Sequence, residues 1–104
     1  MYLFIASDGV DLRQPEVVTD LYASFRERLT PDRLAALLAD HAGGELLTDG
    51  AHIMIPVATL RRLAEGRVPD GWDADFEAML AKAGERGFLN EEGDQVRAHL
   101  ERER

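Results

Sequence analysis

The apolar residues of this chain come in short clusters, none longer than six residues, repeatedly cut by glycine, proline and turn-forming pairs. Ser7-Asp8-Gly9, Gly43-Gly44, Asp49-Gly50 and Pro69-Asp70-Gly71 are the main interruptions. A bilayer-spanning helix needs about 20 successive apolar residues, so the chain must fold by packing short elements against one another. With 104 residues and 45% hydrophobic content, the expectation is a single domain spanning residues 1–104. A domain of that size buries somewhat over ~60% of its unfolded surface, enough for a core without covalent staples. None is on offer: the absence of cysteine excludes disulfides, thiolate zinc sites, iron–sulfur ligation and a cysteine nucleophile.

The patterning of each segment predicts its element. Tyr2 to Ala6 is wholly apolar and reads as a buried strand. After Pro15, residues Val17, Val18, Leu21, Tyr22, Phe25 and Leu29 recur at helical spacing, which predicts a helix across the high teens and twenties. Thr30-Pro31-Asp32 supplies an N-cap, a first-turn proline and an acid for a second helix carrying Leu34, Leu37, Leu38 and Ala42, stopped by Gly43-Gly44. Glu45 to Ile55 reads as a β-hairpin turning at Asp49-Gly50. A short helix carries Val57, Leu60, Leu63 and Ala64, and another, from Asp73, carries Phe76, Met79, Leu80 and Ala83. Gly87 followed by Phe88 suits a helix C-cap with an apolar contact folded back. Beyond the Asn90–Gly93 turn, Val96 and Leu100 predict a last helix. The expected fold is therefore α+β and mostly helical: a small winged-helix-like domain with a β-hairpin and a short N-terminal strand.

The net charge of −8 argues against nucleic acid as a direct ligand, because phosphate backbones are bound by clustered Lys and Arg. No basic run exceeds Arg61-Arg62. The opening Met1–Ala6 lacks the charged flank and the length of a secretory signal, so the cytoplasm is the expected location and no membrane contact is expected.

Chemistry-bearing residues are sparse. His41, His52 and His99 include no close pair in sequence, and no metal site or cofactor is expected from them. If the chain were an enzyme, His52, His41, Asp8 and Asp11 would be the candidates for general acid/base work, provided one cavity gathered them. Asp70, Asp73, Asp75 and Glu77 form the densest acidic cluster. They lack the glycine and distal glutamate of a calcium loop, and acids near a helix start are favoured by the helix dipole. Arg61, Arg62 and Arg67 are the one basic concentration, suited to ion pairs with the surplus acids or to an anionic group. Trp72, the sole tryptophan, either anchors a partner or packs inward under the loop before it. Together Asp70, Trp72, Asp73, Asp75, Glu77, Arg61 and Arg62 are the candidate binding residues.

From Asp73 to Glu101 the chain resembles the C-terminal part of MarR-like winged helix–turn–helix domains of actinobacteria. The resemblance rests on Ala83-Gly84-Glu85-Arg86-Gly87, then Phe88-Leu89, an acidic turn closing on Gly93, and Val96 with His99-Leu100. It implies a helix–wing–helix shape. Because the helix opens with acids and the wing carries Glu91-Glu92, it does not imply DNA reading.

The functional expectation is a small acidic interaction or regulatory module that binds a protein partner, with a homodimer as one form of that. A sharper version is an inhibitor of a basic or nucleic-acid-binding protein. The alternative is a small enzyme or small-molecule-binding protein with a histidine- and carboxylate-lined pocket.

Overall fold

Strands rather than helices organise both ends of the chain. The computed structural model describes residues 1–103. In chain order its elements are β1 (Tyr2–Ala6), β2 (Gly9–Arg13), β3 (Tyr22–Phe25), α1 (Pro31–Ala42), β4 (Glu45–Leu46), β5 (His52–Pro56), α2 (Val57–Ala64), α3 (Trp72–Glu85) and β6 (Gln95–Arg102). The strands form one curled six-stranded sheet in the order β2-β1-β3-β6-β5-β4. The β1–β3 and β3–β6 pairs are parallel, and the other three are antiparallel.

Two corrections to the mostly helical, winged-helix-like expectation follow, since the helices hold about a third of the chain and the strands nearly as much. The segment expected to be helical after Pro15 runs irregularly and then becomes β3. The last expected helix is β6, the longest strand. Both errors have one physical cause. An apolar pair four residues apart, such as Leu21 and Phe25 or Val96 and Leu100, fits the 3.6-residue helical period and the two-residue strand period equally. What separates the two is the residue between. Ala23 is fully buried and Ala98 is 3% exposed, so both face the core as a strand requires. Alanine, too small to register as a core residue in sequence, carries that information here.

The helices keep the predicted start and stop signals. At the start of α1, the Thr30 hydroxyl accepts from the Arg33 N–H at 3.1 Å; at its end, Gly43 adopts φ 66°. After α3 the Phe88 N–H donates to the Ala83 carbonyl at 2.8 Å and the Gly87 N–H to the Gly84 carbonyl at 3.1 Å. That pair of bonds is a Schellman cap. Between β4 and β5, Asp49 and Gly50 sit in a longer turn than the two-residue one expected. There Asp49 Oδ1 accepts from the Ala51 and His52 N–H groups at 2.9 and 3.1 Å.

One core joins the layers. Leu3, Ile5, Leu12, Ala23, Ile53, Ile55, Val96, Ala98 and Leu100 face it from the sheet, and the buried residues of all three helices meet them there. Trp72 lies within this core at 5% exposure, stacked on Phe76 with ring centroids 4.6 Å apart. Its Nε1–H donates to the Pro15 carbonyl at 2.7 Å. The irregular stretch before β3 is thus tied to α3, and the Met1 ammonium ties it a second time, donating to the Val17 and Asp20 carbonyls at 2.7 and 3.0 Å. Burial lowers that ammonium's pKa, against the opposing fields of Asp20 and Glu16.

Candidate functional site

Because every helix packs on one side of the sheet, the side chains alternating with the core residues emerge on the other side. Register then decides which of them become neighbours. Arg13 pairs with Tyr2, Tyr2 with Tyr22, Tyr22 with His99, and His99 with His52. Five strands therefore contribute one side chain each to a single row, about 19 Å long at ~4.8 Å per strand. A second row alongside it holds Asp11, Phe4, Ser24 and Glu101.

The row is built of rings. Tyr2 and Tyr22 stack at 5.0 Å with 13° between their planes, and His52 meets His99 edge to face at 5.6 Å. The Arg13 guanidinium lies 3.9 Å above the Phe4 ring. Tyr2, Phe4, Tyr22 and His52 are half-buried, and His99 is exposed. Ser24, small and flanked by Phe4 and Glu101, is covered completely, its hydroxyl donating to Glu103 at 3.1 Å.

Burial raises the Tyr22 phenol above its ordinary pKa, and Tyr2, Glu101, Glu103 and Asp20 push it the same way. At one end His52 Nδ1 lies 2.7 Å from Asp49 Oδ2. The Asp49 carboxyl is held below the usual range, chiefly by the Ala51 N–H and then by the His52 ring. His99 Nε2 approaches Glu101 at 3.6 Å.

The residues singled out in the sequence fall in three places. Arg61, Arg62, Trp72 and Asp73 line one depression of about 400 Å³ beside Val68. Arg61 spans it, bonding Asp73 at 3.2 Å and also Glu77, with its guanidinium 4.9 Å over Phe76. Two of the four clustered acids are thereby paired within the chain, while Asp70 and Asp75 are exposed. Trp72 presents its indole to the core rather than to this depression's mouth.

The four residues considered for acid/base work do not assemble. Asp11 pairs with Arg13 at 3.4 Å and Arg67 at 3.6 Å, Asp8 is exposed in the turn between β1 and β2, and His41 lies at the end of α1 near Gly9. Among the described residues His52 has Asp49 and His99 as its neighbours instead. No group of three or more His, Asp or Glu among the described residues is placed to hold a metal ion.

Sequence reasoning missed Tyr2, Tyr22 and Asp49. The aromatic pair is 20 residues apart and meets only through strand pairing, so nothing local announces it. Asp49 could have been found, since an aspartate preceding a glycine turn commonly accepts from backbone N–H groups just after it.

The chain matches no family model, and neither a curated protein nor a solved structure matches it. Among the described residues no helix is long and apolar enough to cross a membrane.

Proposed function

We propose that the protein is an interaction module without catalytic chemistry of its own, and that it receives a basic segment of a partner protein on the open face of its sheet. The observation carrying this reading is the cross-strand row of Tyr2, Tyr22, His99 and His52 on the side of the sheet opposite the core that the helices share. The outer faces of the stacked phenol pair are those left for a guanidinium or ammonium group, an attraction of ~0.5–2 kcal/mol each. Glu101 and Asp20 place carboxylates near Tyr22, while Glu103 is paired with Arg26, and the net charge of −8 steers a basic partner toward the face from a distance. A module of this kind acts by occupying a basic surface, as an inhibitor of a nucleic-acid-binding protein would.

The test places a photo-crosslinking amino acid at Phe4, within the face, and at Ala39, on the exposed side of α1. Adducts with a basic protein at position 4 but not at 39, lost on Tyr22→Ser and weakened by salt, are the expected result. Equal adducts at both positions, or a partner of acidic composition, would overturn it.

A second reading rests on the Asp49–His52 hydrogen bond, because a carboxylate on Nδ1 fixes the ring and leaves Nε2 free for proton transfer. It makes the His52–His99 end of the row a small-molecule site. Loss of a measured turnover on His52→Gln, with partner binding intact, would select it over the first.

A further inference from the structure

We infer that the cleft between α3 and the segment preceding β3 is a binding site for a small amphipathic anion, a monocarboxylate with an apolar body. This site meets the open sheet face only at Arg97, which alternates with Val96 and Ala98 on β6, and does not depend on how that face is read.

The cleft has a volume of about 380 Å³, within the ~300–1,000 Å³ usual for small-molecule sites. Its floor is apolar: Val18 and Leu21 from the segment before β3, Met79 and Ala83 from α3, then Phe88 and Val96. The strand order explains why it exists. β3 begins only at Tyr22, opposite His99. Nearer the start of β6, Leu89 bridges Val96, so the sheet changes neighbours between Val96 and His99 and leaves a recess under Leu21. Both walls are held in place. Trp72 Nε1 fixes the Pro15 carbonyl and the Met1 ammonium fixes those of Val17 and Asp20, while the Schellman cap places Phe88 against the end of α3.

Charge selects the ligand class. Lys82, Arg86 and Arg97 all line this cleft, three of the 12 bases in a chain with 20 acids. Among the described residues none of the three forms an ion pair, whereas Arg13, Arg26, Arg61 and Arg67 all do. Lys82, in the last turn of α3, and Arg86, at its C-cap, are one helical turn apart. Arg97 reaches the cleft from β6, its guanidinium 4.7 Å over the Phe88 ring. The lining also holds two acids, Asp20 on the segment preceding β3 and Asp75 on α3. Asp75 is two turns before Lys82, roughly 10 Å along the helix. A ligand with its carboxylate on Lys82 and Arg86 can lay its apolar body on Met79, Ala83 and Phe88, beside Arg97.

The probe is octanoate, titrated into the full chain and followed by ¹³C-methyl NMR, with octanol and octylammonium as the neutral and cationic counterparts. Octanoate should move the Met79 and Ala83 methyl signals saturably near 1 mM or below, the affinity about ten non-hydrogen atoms can support. Octanol should bind at least ~10-fold more weakly, and the double variant Lys82→Glu/Arg86→Glu should weaken octanoate by a similar factor. Both positions are exposed, and unchanged Trp72 fluorescence verifies that the variant is folded. Tyr22→Ser, on the open face, should leave octanoate binding as it was. The inference fails if octanol or octylammonium binds as well as octanoate, if the charge reversal has no effect, if the shifts centre on Tyr2 and Tyr22, or if no probe binds.

Discussion

Replacing Ala98 by aspartate tests the strand assignment at its most sensitive point. In β6 the Ala98 side chain faces the core, 3% exposed and paired with Ile53 across the ladder. On a helix with Val96 and Leu100 inward, position 98 would lie about 200° from Val96 and meet solvent. A carboxylate forced into the core has its pKa raised by ~3–5 units when fully buried. At ~1.36 kcal/mol per unit, the Ala98→Asp variant should lose roughly 4 kcal/mol at pH 7, which lies about 3 units above the unfolded pKa of ~3.9. That is a large share of the ~5–15 kcal/mol total expected of a domain. The sign with pH follows. A folded pKa raised above the unfolded value means the charge penalty is absent below about pH 3.9, where the carboxyl is protonated in both states, and grows with pH until the folded pKa is passed. His99→Asp is the control, since the His99 side chain is 54% exposed and aspartate's poor strand propensity alone costs ~1 kcal/mol. Urea unfolding followed by the buried Trp72 measures both. Equal losses in the two variants, or a loss at Ala98 below ~1 kcal/mol, would refute the reasoning.

Three further perturbations probe the supports of the two candidate sites. Trp72→Phe keeps the stacked ring but removes the donor to the Pro15 carbonyl; a loss of ~1–3 kcal/mol and faster amide exchange at Val17 are expected, measured by circular dichroism and hydrogen exchange. Gly44→Ala would set a Cβ 2.7 Å from the Met54 carbonyl oxygen on β5, so the backbone must shift; ~1–3 kcal/mol of destabilisation in urea is the expected outcome. Asp49→Asn addresses acid stability. The folded pKa of Asp49 is lowered by the Ala51 N–H and then His52, so its contribution is present above the ordinary carboxylate pKa of ~3.9 and is lost as pH falls through the folded value. The variant's stability should therefore fall less steeply than the parent's below about pH 4 in acid titrations.

The parts of the fold legible in sequence are those governed by neighbours in the chain. Thr30 and Gly43 delimit α1 because a hydroxyl reaches an N–H three residues on and a glycine accepts the left-handed turn. The short helix α2 and the Gly87–Phe88 end of α3 follow from the same kind of local rule. Of the candidate binding residues, Arg61, Arg62, Trp72 and Asp73 do converge on one depression, since the α2–α3 connection is short. The acid/base candidates Asp8, Asp11, His41 and His52 were linked only by chemistry, and no local rule could say whether the fold would gather them.

By itself the sequence determined the two ends of α1 and the end of α3, that no thiol chemistry is available, and that the chain is strongly acidic. Tertiary structure decided whether residues 22–25 and 95–102 were helix or strand, because a four-residue apolar spacing satisfies both periods and only a neighbouring strand's hydrogen bonds choose between them. It also decided the two candidate sites. The Tyr2–Tyr22–His99–His52 row exists through ladder register, and the cleft over Met79 exists because β3 starts late beside β6. Both are properties of pairing between distant segments, to which no single segment's residues commit the chain.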